Sequence, residues 1–312
     1  MSRPFVKTTR SAYPYPGTEP MLELLLRASM RIPGILQMAL TASLQCILIS
    51  IAVGLGGWVS SGQQPQSGQI AGPREIRPDD YVSAEVLRYI QEGQRLASRE
   101  QYDDAIKSYQ LALEKAGKPL FSVFLGLGAA YFGKSDFKAA IDVYKRAISL
   151  RPVDPRPHFN LGEVLYSSGD FRTAGLEYRK TLELAPSQPN APQAHQFVAL
   201  CLYNQKRLDE AIAEYKIAIQ MRKGNYSEAH YNLGIVYMEQ GNSESAESEF
   251  RTAIQQDKGL VPQDHYNLAV VLEKEKRFVD AADEYERYLQ VSPTAEDAAA
   301  LRLRIANLRK QK

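Results

Sequence analysis

Between Val86 and Ala295 the apolar positions recur with two nested periods. The shorter runs i, i+3, i+4, i+7, as in Phe124, Leu127, Gly128 and Tyr131, in His158, Leu161, Gly162 and Leu165, and in His230, Leu233, Gly234 and Tyr237. That spacing marks one face of an α-helix. A second set follows at i, i+4, i+7, as in Ala140, Tyr144 and Ala147, and predicts a second helix. Turn residues separate the two sets: GKSD from Gly133, SSGD from Ser167, EQGN from Glu239. The longer period repeats the whole pair. An alanine stands four residues before an aromatic at Ala105-Tyr109, Ala140-Tyr144, Ala174-Tyr178, Ala211-Tyr215, Ala246-Phe250 and Ala281-Tyr285, and successive alanines are 35, 34, 37, 35 and 35 apart. Six helical hairpins are therefore expected. The Pro-rich stretch SQPNAPQ, Ser187 to Gln193, accounts for the one long step, and Pro152, Pro186 and Pro293 end units.

The small residues have a physical task. Gly128, Gly162 and Gly234 on first helices, with Ala140, Ala174, Ala211, Ala246 and Ala281 on second helices, let two backbones approach closely. Tyr144, Tyr178, Tyr215, Phe250 and Tyr285 then fill the gap against the next unit. No hairpin of this size can bury its apolar face alone, so stacking supplies the core.

The segments FLGLGAAYFGKSDFKAAIDVYKRAISLRP (Phe124 to Pro152), HFNLGEVLYSSGDFRTAGLEYRKTLELAP (His158 to Pro186) and HYNLGIVYMEQGNSESAESEFRTAI (His230 to Ile254) resemble the tetratricopeptide repeat family. The resemblance implies an all-α fold, a right-handed superhelical solenoid of antiparallel helix pairs. It covers six repeats over residues 81–295, with residues 296–312 as a C-terminal capping helix and basic tail. It also implies a function: first helices line a concave wall that binds an extended or helical peptide of a protein partner. The wall residues so expected are Leu125, Phe159, Tyr231 and Tyr266, then Asn160, Asn232 and Asn267. One turn on come Leu200, Ile235 and Val270, then Phe132, Tyr166, Tyr203 and Met238. Tyrosine and methionine are good anchors for a buried contact. An asparagine can both donate to and accept from a peptide backbone.

The first eighty residues follow a different pattern. No charged residue occurs from Ile32 to Pro73. Within this stretch Ile35 to Val59 is long enough to cross a hydrocarbon core of about 30 Å as a helix. Arg27 and Arg31 precede it and the next basic residue is Arg74, which places residues 1–34 in the cytoplasm and the repeats outside. A cleaved signal segment is the alternative, with Ala52 to Gly54 offering small residues for a cleavage site and Met30 an alternative start; the repeats are then secreted or periplasmic. Residues 60–80, rich in Gly, Pro, Ser and Gln, are expected as a flexible linker.

Composition narrows the chemistry. The formal net charge of +2 gives no global field for nucleic acid. Two cysteines, Cys46 and Cys201, exclude a disulfide framework and a four-cysteine zinc site. Gly128 to Ser135 match the phosphate-loop pattern G-x-x-x-x-G-K-[ST]. Such a loop needs a strand before it and free amides at a helix start. Here the stretch falls inside a first helix and its turn, so no nucleotide is expected. His158, His195, His230 and His265 occupy one position of units three to six. Equivalent positions of stacked hairpins lie about 8–10 Å apart, too far to converge on one ion, so these read as half-buried packing positions and no metal is expected. With no cofactor and no catalytic constellation, the reading is a membrane-tethered protein-interaction scaffold, not an enzyme. The alternative is a structural component that self-associates through its convex side or edges.

Overall fold

The computed structural model describes residues 82–293, 295 and 298–311; the expected membrane span, linker and cytoplasmic segment lie outside the described residues. Thirteen α-helices and no strand occur among the described residues. They are α1 (Ala84–Ser98), α2 (Tyr102–Ala116), α3 (Phe121–Gly133), α4 (Phe137–Leu150), α5 (Pro155–Ser167), α6 (Phe171–Leu184), α7 (Ala191–Asn204), α8 (Leu208–Met221), α9 (Ser227–Gln240), α10 (Ser243–Gln256), α11 (Pro262–Lys274), α12 (Phe278–Val291) and α13 (Ala298–Leu308). Each odd helix packs on the even helix that follows, and each even helix packs on the next odd one, ending with α13 against α12.

The turn inside each hairpin is built the same way six times. Glu100, Ser135, Gly169, Lys206, Gly241 and Lys276 all take a positive φ, between 60° and 89°. A residue in that left-handed region reverses the chain and stops the first helix. In three of the six units the second helix then starts on a side-chain cap: Asp136 accepts from the Ala139 amide at 3.1 Å, Asp170 from Thr173 at 3.0 Å, Asn242 from Ser245 at 3.1 Å. Such a bond satisfies one of the amides that a helix start leaves unpaired.

Close approach of the two helices is visible atom by atom. A Cβ on Gly128 would lie 2.5 Å from the Tyr144 ring; on Gly162, 2.8 Å from Tyr178; on Gly234, 2.8 Å from Phe250. The rings thus fill a hollow in their own unit as well as the junction with the next one. Tyr109 lies between Gly93 of its own unit and Gly126 of the following unit, and Tyr178 stacks on Phe197 with centroids 5.0 Å apart. Ala105, Ala140, Ala174, Ala211, Ala246 and Ala281 are each 0% exposed, so no atom can be added there without moving a helix.

The interior forms two clusters. One runs from Val86 to Ala147 through units one and two; the other runs from Ala140 to Leu308 through the remaining units. They meet on α4.

Candidate interaction surface

First helices of neighbouring units approach one another at α1–α3, α3–α5 and α9–α11, whereas no two second helices approach as closely. The stack therefore bends with its first helices on the inner side, and side chains that point away from the second helices share that side. Leu125, Phe132, Asn160, Tyr166, Tyr203, Met238, Tyr266 and Val270 are there, all half-buried. Phe132, Tyr166, Tyr203 and Met238 form one column, a residue from each successive unit. Neighbours steady them. The Tyr166 ring meets Phe171 edge-on at 5.2 Å, and its hydroxyl accepts from Asn204 of the next unit at 3.3 Å. Phe132 leans on Phe137 at 6.1 Å. Tyr203 and Lys206 both reach Glu239 one unit on.

Six expected wall residues are placed elsewhere. Leu200 and Ile235 are 1% exposed, Tyr231 is fully buried, Asn232 is 1% and Asn267 2% exposed, and Phe159 is 8% exposed. Two of their helices are enclosed over seven consecutive residues: Gln196 to Leu202 on α7 and Tyr231 to Tyr237 on α9 are buried without a break, the mark of a stretch buried all round. Phe197 causes part of this, because its ring wedges against both Phe159 and Tyr178. Tyr231 is roofed by α11, whose Asn267 donates to its hydroxyl at 2.8 Å, and packs on Phe250 at 5.8 Å. Asn160 is engaged with the Tyr144 hydroxyl. Asn232 and Asn267 are therefore core polar groups, and Asn232 holds both amide atoms buried with no hydrogen-bond partner among the described residues.

The phosphate-loop match is absorbed by the hairpin. Gly128 to Gly133 are helical, and the amides of Lys134, Ser135 and Asp136 bond to the carbonyls of Ala130, Phe132 and Tyr131. The Lys134 ammonium pairs with Asp103 of the preceding unit. No amide of this turn is left to cradle a phosphate.

The four histidines hold a feature that the pattern reading missed. Each places Nδ1 at 2.6–2.7 Å from a glutamate nineteen residues on: His158–Glu177, His195–Glu214, His230–Glu249, His265–Glu284. Each pair ties the first helix of a unit to the second. The signal was present, since each glutamate immediately precedes the aromatic of its unit. Among the described residues no three His, Cys, Asp or Glu side chains gather as a metal site requires. Cys201 is buried, and burial pushes its thiol up to about 12, which makes it an inert core group.

A family model described as TPR repeat matches residues 128–169 and 201–241, and another described as Tetratricopeptide repeat matches 231–299. The hairpins within those segments are tetratricopeptide repeats. Solved structures agree on the fold. PilW, a widely conserved type IV pilus biogenesis factor, aligns with a TM-score of 0.62 at 17% identity, over 70% of this chain and 99% of that one. MamA from Desulfovibrio magneticus RS-1 aligns at 0.52 and 17% identity, over 56% and 97%. A chain of the APC/C hetero-tetramer Cut9-Hcn1 aligns at 0.56 and 16% identity, over 71% of this chain and 43% of that one. No curated protein matches the chain in sequence. Tetratricopeptide repeats mediate protein–protein interaction. Among the described residues no helix is long and apolar enough to cross a membrane.

Proposed function

We propose that the chain is a non-enzymatic scaffold that takes an extended or helical peptide of a partner protein against the inner side of its first helices. The supporting observation is the column Phe132, Tyr166, Tyr203 and Met238. It offers one large, partly exposed apolar side chain in each of units two to five, and Phe132, Tyr166 and Tyr203 are steadied by neighbours before any guest arrives. Such steadied anchors lose little rotamer freedom on binding. The charge-free stretch at residues 35–59 supports a tether in the membrane, with the repeats on the extracytoplasmic side.

A photo-crosslinking residue at Tyr203 tests the reading, with another at Leu176 on a second helix, which is 60% exposed, as the control. In native membranes the Tyr203 probe should yield one partner adduct, and Tyr166→Ala should deplete it without loss of helicity. An equal adduct from Leu176, or none from Tyr203, defeats the groove. Self-association is separated by light scattering, where a mass that climbs with concentration points to the structural alternative.

A further inference from the structure

Every histidine of the chain belongs to one of the four glutamate pairs, yet the pairs differ at the second ring nitrogen. His158 buries Nε2 with no hydrogen-bond partner. His230 places Nε2 at 3.0 Å from the Gly224 carbonyl oxygen while Nδ1 lies 2.6 Å from Glu249. A carbonyl oxygen only accepts, and so does a carboxylate. Both contacts are satisfied together when the imidazole carries a proton on each nitrogen.

We propose that His230 is an acid-set clasp: as imidazolium it fastens α9 to α10 through Glu249 and to the α8–α9 joint through Gly224, and the clasp opens as pH rises. The surroundings fit a cation. Glu249 comes from α10. Gln256, near the end of α10, donates to the same Gly224 carbonyl at 2.7 Å and so holds the joint in place. Arg222 and Lys223 stand in the joint itself, Arg222 with its guanidinium 5.2 Å from the Tyr226 ring, and Glu228 lies on α9. Burial pulls the His230 value down, but the Glu249 hydrogen bond, the Gly224 carbonyl and the Glu249 charge together raise it above 6.5.

A folded value above the unfolded one gives stability that is complete below the unfolded value and lost as pH climbs through the folded one. Each pH unit of separation is worth about tenfold in the closed-to-open ratio of this unit. Units one and two have Tyr89 with Ser108 and Phe124 with Val143 at the corresponding places, so they carry no such dependence.

The test uses the full-length chain with ¹³Cε1-labelled histidine, whose spectrum holds four signals. His230→Phe, which copies Phe124 of unit two, assigns the signal in question. It should titrate above 6.5, and Glu249→Gln should lower its midpoint. Hydrogen exchange, corrected for the intrinsic pH effect, should show α9 and α10 losing protection through that same midpoint, while α1 to α4 stay level. A wild-type midpoint at or below 6.5 overturns the clasp whether or not the variants fold. A midpoint above 6.5 with pH-independent protection of α9 and α10 overturns it equally.

Discussion

Units one and two and units three to six share one backbone template and fill it with different chemistry. The buried polar residues of the described structure are Ser108 in unit two's predecessor and then His158, Thr181, Gln196, Asn232, Asp264, His265, Asn267 and Glu284, all in the later units. Where unit two seats Phe124 against second-helix apolar residues, units three to six seat a histidine against a glutamate. The difference teaches that the hairpin template does not depend on the polar pairs, because a small residue sixteen positions before the aromatic is common to both regions: glycine in units one, two, three and five, Ala199 and Ala269 in units four and six. The polar pairs are an addition, and what they contribute depends on the partners that each ring finds.

The comparison can be broken most severely at the shared contact. Ala140→Glu and Ala246→Glu put a charge where each alanine is 0% exposed. Both should cost several kcal/mol, on the order of 4, and thermal melts should show similar losses in both regions. A mild effect in one would mean that the template is not common. Next comes the pair His265–Glu284, with side chains 5% and 9% exposed. Glu284→Ala alone should destabilise by roughly 3 kcal/mol, because it strands a buried ring and the Arg287 partner. The double change His265→Phe with Glu284→Val, which imports the chemistry of unit two, should come out near neutral in denaturant titration. If the double variant is as damaged as the single one, the polar pair is integral to the later units.

Two smaller changes sharpen the picture. The Tyr178 hydroxyl is buried with no hydrogen-bond partner among the described residues. Tyr178→Phe should therefore stabilise by about 1 kcal/mol, and a loss in the melting experiment would reveal a partner for that oxygen. Ser135 holds φ at +66°, where the later units Gly169 and Gly241 already supply glycine. Ser135→Gly should gain about 0.5 kcal/mol, the relief of left-handed strain less the added chain entropy. A loss would show that the serine side chain matters to the turn.

Much of this architecture could be read from residue pattern alone, for a local reason. The 35-residue spacing, the alanine four before an aromatic and the GKSD-type turns each depend on contacts inside one hairpin. The resolution of the phosphate-loop match rested on the same short-range logic. The inner wall was legible only in part. Phe132, Tyr166, Tyr203 and Met238 share a helix face with Leu200 and Ile235, and only the closeness of neighbouring first helices decides which are covered. The cover itself comes from Phe197, packed against Phe159 and Tyr178, and from the reach of Asn267 to Tyr231, which are contacts between units. The histidine–glutamate pairs were legible and overlooked, because a nineteen-residue offset belongs to neither the helical period nor the repeat.

The long step between Ala174 and Ala211 is taken up wholly between Leu184 and Ala191, and the helices on either side, α6 and α7, keep fourteen residues each. A ring seated over a glycine sixteen positions back tolerates no slip inside a hairpin, so length variation is exiled to the joints. Peptide tags, fluorophore handles or whole inserted domains should accordingly be accepted at Ser187 to Asn190, and the same cargo placed at Gly169 or Gly241 should unseat a ring and scramble the stack downstream.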